Sequence, residues 1–512
     1  MPNETKVLSG TETVRSLYKS LASCSEHHSN DLLSRLHIVT PIDDAIALEA
    51  RSDKVVIVTG NPGDGKTHLI RKVRGEFNRR VIVHQDANEI ENAGLTKAID
   101  DAITEKLSLV LAINEGILLE VCESAKARYP WADGIVDAVL QPYDYGDGRE
   151  IDRSRVVILD LNLRNNLAIT IVEQAIAALV ALIEDDSTAP AAIRTNAAAL
   201  KNLEVRHRVC QLLDAVGGTG FHATMRDLLG FIAYLLTGDS SNEGGDETSP
   251  YFVNAFESGQ GPLFDEVRRF DPLAMPSPFL DDRLYMLDDA GADWLINLVD
   301  EPAERANLDL FRRRKRRAYF EHRDGLQVLY KDRDDSERTF KELQRLEQSP
   351  EQVAIRLLNQ FFDSRELASD RLILWMGHQF DARPALFVAA RHTVSSVDLQ
   401  ISIPRLASAL APVFEDHYAD HVILHHKEME VGQGLILDRR LVEMLIAGGR
   451  HLGFGTRNPE AFRRIAAFYD RLTRIVRNPQ SIVQILRLDN MARARVGVNI
   501  AAGEYFIPGG IA

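Results

Sequence analysis

The strongest chemical signal in the sequence is a glycine-rich stretch that follows an apolar run. Eight residues match the pattern GxxxxGK[ST] completely: Gly60, Asn61, Pro62, Gly63, Asp64, Gly65, Lys66 and Thr67. Glycines at these places let backbone N–H groups turn inward around phosphate oxygens, and a following helix adds the positive end of its dipole. The pattern predicts that Lys66 reaches the β- and γ-phosphates of ATP and that the Thr67 hydroxyl binds Mg²⁺. His68, the next residue, belongs to the predicted nucleotide-binding set.

Hydrolysis of such a ligand needs an acid near the metal and a group that orients the attacking water, usually at the end of a neighbouring strand. Two segments compete for these roles, residues 107–116 (LSLVLAINEG) and residues 156–162 (VVILDLN). The first supplies Asn114 and Glu115, and the second supplies Asp160 and Asn162. Either Asn114 or Asp160 would complete the Thr67 metal site through a water molecule, and the residue types alone leave both open.

A second cationic feature lies far from the glycine-rich stretch. It is a run of six adjacent basic residues: Arg312, Arg313, Arg314, Lys315, Arg316 and Arg317. Tyr319 and Phe320 follow it, so contact with DNA phosphates and stacking on bases is one interpretation. An arginine finger that completes a neighbouring subunit's ATP site is another. The simplest interpretation is a helix face that is solvated or paired with acids.

Four histidines near the C-terminal third have partly helical spacing: His417, His421, His425 and His426. Such spacing aligns zinc ligands when the segment is a helix. The intervening apolar residues 422–424 instead favour a strand or a buried turn, and no cysteine lies nearby. We therefore expect buried histidines rather than a metal site.

The elements that must position the glycine-rich stretch are visible as short apolar runs separated by helical patterns. The first run, residues 54–59 (KVVIVT), leads into the glycines, and HLIRKVRGEF follows as a helix. Further runs lie at residues 81–83, 107–113 and 156–161. Strands that alternate with helices predict an α/β fold with a parallel sheet built by right-handed crossovers.

Length and composition set the class of protein. A chain of 512 residues with 45% hydrophobic and 26% charged residues is typical of a soluble globular protein of about three domains. The net charge of −15 argues against non-specific coating of nucleic acid, which depends on broad phosphate neutralisation. Three separated cysteines, Cys24, Cys122 and Cys210, make a disulfide framework unexpected.

Nothing in the sequence indicates export or membrane insertion. The first sixteen residues carry no apolar run behind a basic start. The longest apolar stretch, residues 167–183, contains Glu173 and Gln174 near its middle, which favours a buried helix over a membrane span. We predict a cytoplasmic protein without membrane contact.

The order of these motifs resembles that of AAA+ ATPases. In that resemblance Asn114 and Glu115 occupy the two Walker B positions, and Asn162 occupies the sensor-1 position. Arg226, in FHATMRDLLGFIAYLL, looks like the sensor-2 arginine of a helical lid and would touch the γ-phosphate. Asn114 departs from the usual aspartate, which implies weaker Mg²⁺ binding and slow turnover.

A wider resemblance suggests the biological system in which the protein acts. GNPGDGKTHLIRK, LVLAINEG, VVILDLN and TMRDLLGFIAYLLTG look like ATPases of bacterial phage-defence islands, in particular the DptF family of DNA phosphorothioation-dependent restriction. That resemblance implies an ATPase subunit that works with other subunits of a restriction complex and meets DNA through the complex. The alternative is a slow nucleotide-dependent switch or scaffold that assembles with a protein effector, and a homo-oligomer is compatible with both.

The expected organisation has four parts. Residues 1–50 form a helical segment, residues 51–185 a P-loop ATPase core, and residues 186–240 a helical lid. A polar, acidic stretch at residues 239–250 reads as a linker. Residues 250–512 are expected to form a mixed, mainly helical region that binds a partner or DNA, with helices at 338–347 and 438–448 and a strand at 397–403.

Overall fold

The structure is a computed structural model, and its geometry is described over most of the chain. The described residues are 9–19, 30–77, 81–144, 155–238, 248–257, 259–274, 281, 308–322, 331–344, 349–362, 368–375, 388–415, 417, 419–450, 459–476, 482–487, 495–499 and 504–506. Cys24 and most of the expected linker, residues 239–247, lie outside them.

A four-stranded parallel sheet lies at the centre of the N-terminal half, with the strand order β2-β3-β1-β5. Its strands are β1 (Val55–Thr59), β2 (Ile82–His84), β3 (Leu109–Ala112) and β5 (Val156–Asp160). Both neighbours of β1 run parallel to it, with Val58 opposite Ala112 and Thr59 opposite Asp160. The predicted α/β fold with a parallel sheet is confirmed, and the glycine-rich loop leaves the sheet from β1, its third strand.

Helices cover both faces of this sheet, which explains why β1 is apolar from Val55 to Val58 and buried at all five positions. On one face Val56 and Val58 pack with α3 (Pro41–Ala50) and α4 (Lys66–Val73). On the other face Val55 and Ile57 pack with three helices: α5 (Asn92–Glu105), α6 (Glu115–Ala125) and α7 (Trp131–Leu140). Because side chains alternate along β1, Val56 and Val58 face one helical layer, and Val55 and Ile57 face the other.

A second core, the helical cluster, is built from helices alone. Its members are α1 (Gly10–Lys19), α8 (Ile169–Glu184), α9 (Ala191–Lys201), α10 (Leu203–Gly217), α11 (Met225–Thr237), α12 (Tyr251–Asn254), α13 (Pro262–Arg268) and α14 (Leu308–Glu321). The short α2 (Asn30–Arg35) precedes α3. Thr224 and Asp227 form a capping box that fixes the first residue of α11. The described part of the expected lid, residues 186–238, is mainly helical, and it shares its core with α1 and α14.

The described residues fall into two compact units. The first comprises Met1–Asp144, Gly148–Tyr330 and Leu406–Tyr418, and the second comprises Lys331–Arg405 and Ala419–Ala512 with a short stretch near residue 146. The first boundary between the two units, at residue 330, therefore lies later in the sequence than the expected linker at residues 239–250. A segment from the last quarter of the sequence, Leu406–Tyr418, belongs to the first unit, and we call it the inserted segment.

The second unit combines helices with antiparallel sheets around its own core. Its helices are α15 (Lys331–Gln344), α16 (Pro350–Phe362), α17 (Arg439–Arg450) and α18 (Pro459–Val476). One sheet has the order β14-β13-β12-β7-β6 and the other the order β11-β10-β8. The strands are β6 (Arg371–Trp375), β7 (Val388–Ser395), β8 (Leu399–Ser402), β10 (His421–His426), β11 (Leu435–Asp438), β12 (Ile482–Arg487), β13 (Arg495–Asn499) and β14 (Glu504–Phe506); β4 (Tyr143–Asp144) and β9 (Arg405–Leu406) are two-residue strands.

Some of the helices and strands expected in the C-terminal half are present in the structure. The helix expected at 438–448 begins at Arg439, and the strand expected at 397–403 is shorter, because a 3₁₀ turn at Ser396–Asp398 precedes β8. The described part of the helix expected at 338–347 lies within α15. No helix within the described residues combines the length and apolar character needed to cross a membrane. Cys122 and Cys210 are buried free thiols.

Candidate functional site

The glycine-rich loop (Gly60–Thr67) connects β1 to α4 by a backbone path that requires glycine. Gly65 caps the first turn of α4 with a φ of 88°, in the left-handed region that side chains disfavour. Gly60 has a φ of 136°, and a Cβ there would lie 2.9 Å from Asp64 Oδ2 and 3.1 Å from Leu161 Cβ. The loop residues from Pro62 to Gly65 and the first residues of α4 line one cavity.

The Lys66 ammonium donates hydrogen bonds to carbonyl groups of the loop itself. Its Nζ donates to Gly60 O at 3.0 Å and to Asn61 O at 2.7 Å. Burial lowers the pKa of the Lys66 ammonium, whereas the nearby carboxylates of Asp64 and Asp86 raise it. Both hydrogen bonds go to neutral acceptors, which a phosphate oxygen can replace without leaving a buried charge unpaired.

Asp64 holds the loop in shape through each of its polar groups. Its Oδ2 accepts from Asn61 N at 2.6 Å, and its Oδ1 lies 3.2 Å from His222 Nε2. The carbonyl oxygen of Asp64 accepts from Arg164 Nη2 at 2.5 Å. Burial lowers the pKa of Arg164 to about 10, and the charges of Asp64 and Asp43 oppose that shift. The guanidinium therefore stays charged beneath the loop at neutral pH.

The end of β2 brings a carboxylate to the loop. The Thr67 hydroxyl donates to Gln85 O at 3.1 Å, and the next residue, Asp86, is exposed and lines the cavity. Asp86 Oδ1 accepts from Asn88 at 2.6 Å, and Asn88 Oδ1 accepts from Asn114 N at 2.8 Å. Thr67, Asp86 and Asn114 thereby place a hydroxyl, a carboxylate and an amide around one side of the cavity.

A hydrogen-bonded chain of side chains follows the carboxyl edge of the sheet. Asn61 Nδ2 donates to Asn162 Oδ1 at 2.8 Å, and Asn162 Nδ2 donates to Glu115 Oε2 at 2.5 Å. Glu115 N also lies 3.4 Å from Gly60 O. The loop, the end of β3 and the turn after β5 are therefore joined through three side chains.

Asp160 lies at the same edge but is buried, with 8% of its surface exposed. Its Oδ1 accepts from Asn162 N at 3.0 Å. Burial raises the pKa of Asp160 to about 6, and the negative charges of Glu115 and Asp64 add to the increase. Of the two competing segments, the end of β3 contributes Asn114 to the cavity lining, and Asp160 is not among the residues that line it.

The helical cluster closes one side of the loop through the start of α11. Arg226 N donates to Gly63 O at 3.1 Å, and a Cβ on Gly63 would lie 3.2 Å from Thr224 Oγ1. The positive charge of Arg226 contributes to lowering the pKa of Lys66, and both residues line the same cavity.

The far wall of the cavity is apolar. It is formed by Leu17, Leu33, Leu36, Ile38, Met225 and Leu229. A histidine pair ties this wall to α4, because His37 Nδ1 lies 3.1 Å from His68 Nε2 and His37 Nε2 lies 3.2 Å from Asp43 Oδ1. Burial lowers the pKa of His68 to about 4, and the neighbouring His37 adds to the decrease. The His68 side chain is thus neutral at pH 7, and it lines the cavity with the loop.

Together these groups enclose a cavity of about 300 Å³, at the lower end of the range for small-molecule sites. The loop residues from Pro62 to His68 and the apolar wall both line it. Asp86, Asn88, Arg164 and Arg226 also line it. The cavity therefore combines cationic and backbone groups with apolar side chains.

The basic run lies outside this site, in α14 of the helical cluster. Four of its members are buried: Arg314, Lys315, Arg316 and Arg317. Arg316 Nη2 donates to Asp271 Oδ2 at 2.7 Å and Arg316 also pairs with Glu257, while Arg317 Nε donates to the fully buried Glu321 at 2.8 Å. Lys315 pairs with Asp281 at 2.8 Å. Acid pairing, the simplest of the three interpretations, describes this side of the helix.

The exposed members of the run are at its beginning. Arg312 pairs with Asp309 at 3.2 Å, and Arg313 is exposed. Tyr319 and Phe320, expected as stacking partners for bases, have no exposed surface and pack in the helical cluster. Base stacking on these two rings is therefore inconsistent with their burial.

The four histidines are divided between the two units. His417 Nδ1 donates to Leu163 O at 2.9 Å. His421, His425 and His426 lie on β10, and His425 Nε2 is 3.0 Å from Ser402 Oγ. Within the described part of the chain, no group of three or more His, Cys, Asp or Glu is arranged to hold a metal ion.

Sequence reasoning missed several residues that the fold brings to the loop: Asp86, Asn88, Arg164, His222 and His37. Asp86 carried the one available signal, since an acid follows the apolar run at residues 81–83. The others reach the loop through contacts that span up to 158 residues of sequence. Comparisons with protein-family models, with curated proteins and with solved structures give no match. The resemblances described above therefore remain predictions.

Proposed function

We propose that the chain binds a nucleoside triphosphate, ATP with Mg²⁺, at the glycine-rich loop and hydrolyses it. One observation carries the proposal. The loop and the start of α4 line a cavity together with Asp86, Asn114 and Arg226 and with a group of apolar side chains. Backbone N–H groups, a helix N-terminus and two cations around one cavity are the groups that bind phosphates.

Binding would begin with an exchange of partners at Lys66. The ammonium leaves the carbonyl groups of Gly60 and Asn61 and donates instead to the β- and γ-phosphates. Arg226 supplies a second cation from α11, and the fixed charge of Arg164 lies just beneath the loop. The dianionic end of the ligand thereby meets positive charge from three elements.

The residues present fit a magnesium ion. Hydroxyl, carboxylate and amide oxygens are the ligands that Mg²⁺ prefers, and Thr67, Asp86 and Asn114 supply one of each. Thr67 would bind the ion directly, with Asp86 or Asn114 holding its water. The ion would neutralise charge that develops on the phosphates. Asp86 is a third candidate for the acid beside Asn114 and Asp160, because it is exposed and lines the cavity, whereas Asp160 is buried.

Glu115 is the best candidate to orient the attacking water. Its backbone lies against Gly60, and its carboxylate is held by Asn162, so the group is fixed next to the loop. A fixed carboxylate accepts a proton from water and aligns the oxygen. In the present arrangement the hydrogen bond from Asn162 occupies one carboxylate oxygen, which is compatible with slow turnover.

The test is a calorimetric titration of the full chain with ATP, with and without Mg²⁺, and a measurement of phosphate release. The proposal predicts saturable binding that strengthens with Mg²⁺, and release of inorganic phosphate. Titration with adenosine alone separates the contribution of the apolar wall from that of the loop. A folded chain that binds neither ATP nor GTP at millimolar concentration would overturn the proposal.

The biological setting rests on the resemblance to defence-island ATPases. We propose an ATPase subunit of a DNA restriction complex, whose partners are other subunits and, through them, DNA. The alternative, a slow switch that assembles with a protein effector, is favoured by Asn114 and by the tethered Glu115. DNA that raises the phosphate-release rate supports the first, whereas a partner protein that binds only the ATP-bound chain supports the second.

A further inference from the structure

The inserted segment completes the core of the nucleotide site from the distant end of the sequence. Leu410 and Phe414, each 4% exposed, pack in the cluster that contains Leu69 and Ile70 of α4. Ala407 N donates to Pro142 O at 3.2 Å, which anchors the start of the segment. Because these side chains are buried among residues of the sheet and α4, the segment moves only if that core moves.

The end of the inserted segment holds the turn that carries Asn162. His417 Nδ1 donates to Leu163 O at 2.9 Å, and the ring of Tyr143 packs against the histidine ring with centroids 5.7 Å apart. Leu163 closes the 3₁₀ turn Leu161–Leu163, which begins at Asp160. The histidine is therefore one residue away from the side chain that contacts both the loop and Glu115.

Lys66 is the residue of the loop whose contacts change when a phosphate binds. Lys66 now binds the carbonyl groups of Gly60 and Asn61, and it leaves both of them when it turns to a ligand. Asn61 is also the residue whose side chain holds Asn162. Asn61 therefore takes part both in the contacts that Lys66 leaves and in the side-chain contact that holds the turn Leu161–Leu163.

We propose that the inserted segment couples the nucleotide state of the loop to the second unit through the turn Leu161–Leu163 and His417. This inference rests on the proposed function, since it assumes a phosphate ligand for Lys66. Ala419, where the second unit resumes, comes two positions after His417 in the sequence, and β10 follows it. Coupling acts in both directions, so a constraint on the second unit also changes nucleotide affinity and the freedom of Glu115.

The experiment uses the full chain and Mg²⁺-ATP, with hydrogen exchange of the β10 amides as the readout. In the unsubstituted protein, nucleotide changes the exchange rate of these amides by about fivefold or more, the lower end of ordinary coupling. His417→Ala removes most of that change and leaves nucleotide binding detectable by calorimetry. His417→Asn restores it, because the asparagine Nδ2 occupies the position of the histidine Nδ1 and donates to Leu163 O.

Two controls make the result specific. His421→Ala removes a histidine that pairs with Asp420 on β10 and leaves the turn untouched, so the response persists. Thermal unfolding of each variant shows whether the fold is kept, and His417→Asn carries the test if His417→Ala unfolds. Bound nucleotide without any change in β10, or a full response in His417→Ala, overturns the coupling. A failure of calorimetric binding in the unsubstituted chain instead overturns the proposed function, and the coupling with it.

Discussion

The glycine-rich loop and the basic run of α14 both bury cations, and they differ in the partners that those cations find. Lys66 and Arg316 are similarly buried, at 7% and 6% exposure. Lys66 donates to backbone carbonyl groups five and six residues away. Arg316 pairs with Asp271 and Glu257, which lie 45 and 59 residues away.

This difference decides which cation is available for a ligand. A carbonyl group is a neutral partner, so Lys66 gains a full charge interaction when a phosphate arrives. Arg316 already has two carboxylates, and removing it from them would leave buried negative charge unpaired. Charge density along the sequence therefore does not identify a phosphate site, whereas the type of partner in the folded chain distinguishes the two regions.

The largest effect expected from this comparison is at Lys66. Lys66→Ala should weaken ATP binding by about 10³-fold or more, because charge-assisted hydrogen bonds to two phosphates are lost. Its free energy of unfolding should change by less than about 1 kcal/mol, since the side chain donates only to loop carbonyl groups. Calorimetry and chemical denaturation measure the two quantities. Lys72→Ala, which removes an exposed lysine from the same helix, is the matched control.

The converse outcome is expected at Arg316. Arg316→Ala should lower the free energy of unfolding by about 3 kcal/mol, because Asp271 keeps its charge in a half-buried position without its partner. Arg312→Ala, which breaks an exposed pair, should change it by less than about 0.5 kcal/mol. Denaturation midpoints with unchanged slopes measure both. A stable Arg316→Ala chain that loses salt-dependent DNA binding would reverse the comparison and restore a phosphate-binding role to the run.

The loop was predictable because its chemistry is local. Gly65, Lys66 and Thr67 act through backbone geometry and neighbours within a few residues, so a motif carries the information. The strands β1, β3 and β5 were also predictable to within a residue or two, because buried parallel strands are continuous apolar runs. The order of the strands in the sheet was not predictable, because the sequence does not show which apolar runs are neighbours in the sheet.

The groups that surround the loop depend on that order and on long-range contacts. Arg164 reaches Asp64 across 100 residues, and His417 reaches Leu163 across 254. Asp86 follows β2, a strand of only three residues. Such a short strand shows little apolar periodicity, so the sequence does not mark Asp86 as the acid at the end of a strand. Apart from His417 the inserted segment carries no motif, and its buried residues Ala407, Leu410 and Phe414 match any amphipathic turn.

The carboxylates near the loop permit a sharper test of which acid acts on water. Glu115→Gln should keep ATP bound and slow phosphate release by about 10²-fold, as expected when a water-orienting carboxylate becomes neutral. Asp86→Asn should instead weaken the dependence of binding on Mg²⁺. Single-turnover phosphate release and metal titration measure the two effects. Normal turnover in Glu115→Gln together with a trapped ATP complex in Asp160→Asn would move the role to Asp160.

The smallest expected effect concerns the pH dependence contributed by Asp160. Its pKa in the folded chain is about 6, whereas the ordinary value is 3.8, because burial and the charges of Glu115 and Asp64 disfavour the carboxylate. The folded chain therefore holds a proton that the unfolded chain has already lost between these values. Stability contributed by the protonated group is complete below pH 3.8 and is lost as pH rises through 6.

Asp160→Asn should remove that loss, since an amide keeps an oxygen for Asn162 N and carries no charge. The variant should be more stable than the unsubstituted chain by on the order of 1 to 3 kcal/mol at pH 7.5, and the advantage should shrink as pH falls toward 4. Denaturation across this range measures it, and Asp101→Asn, at an exposed site on α5, is the control. An advantage that is constant with pH would show that Asp160 is already protonated or solvated.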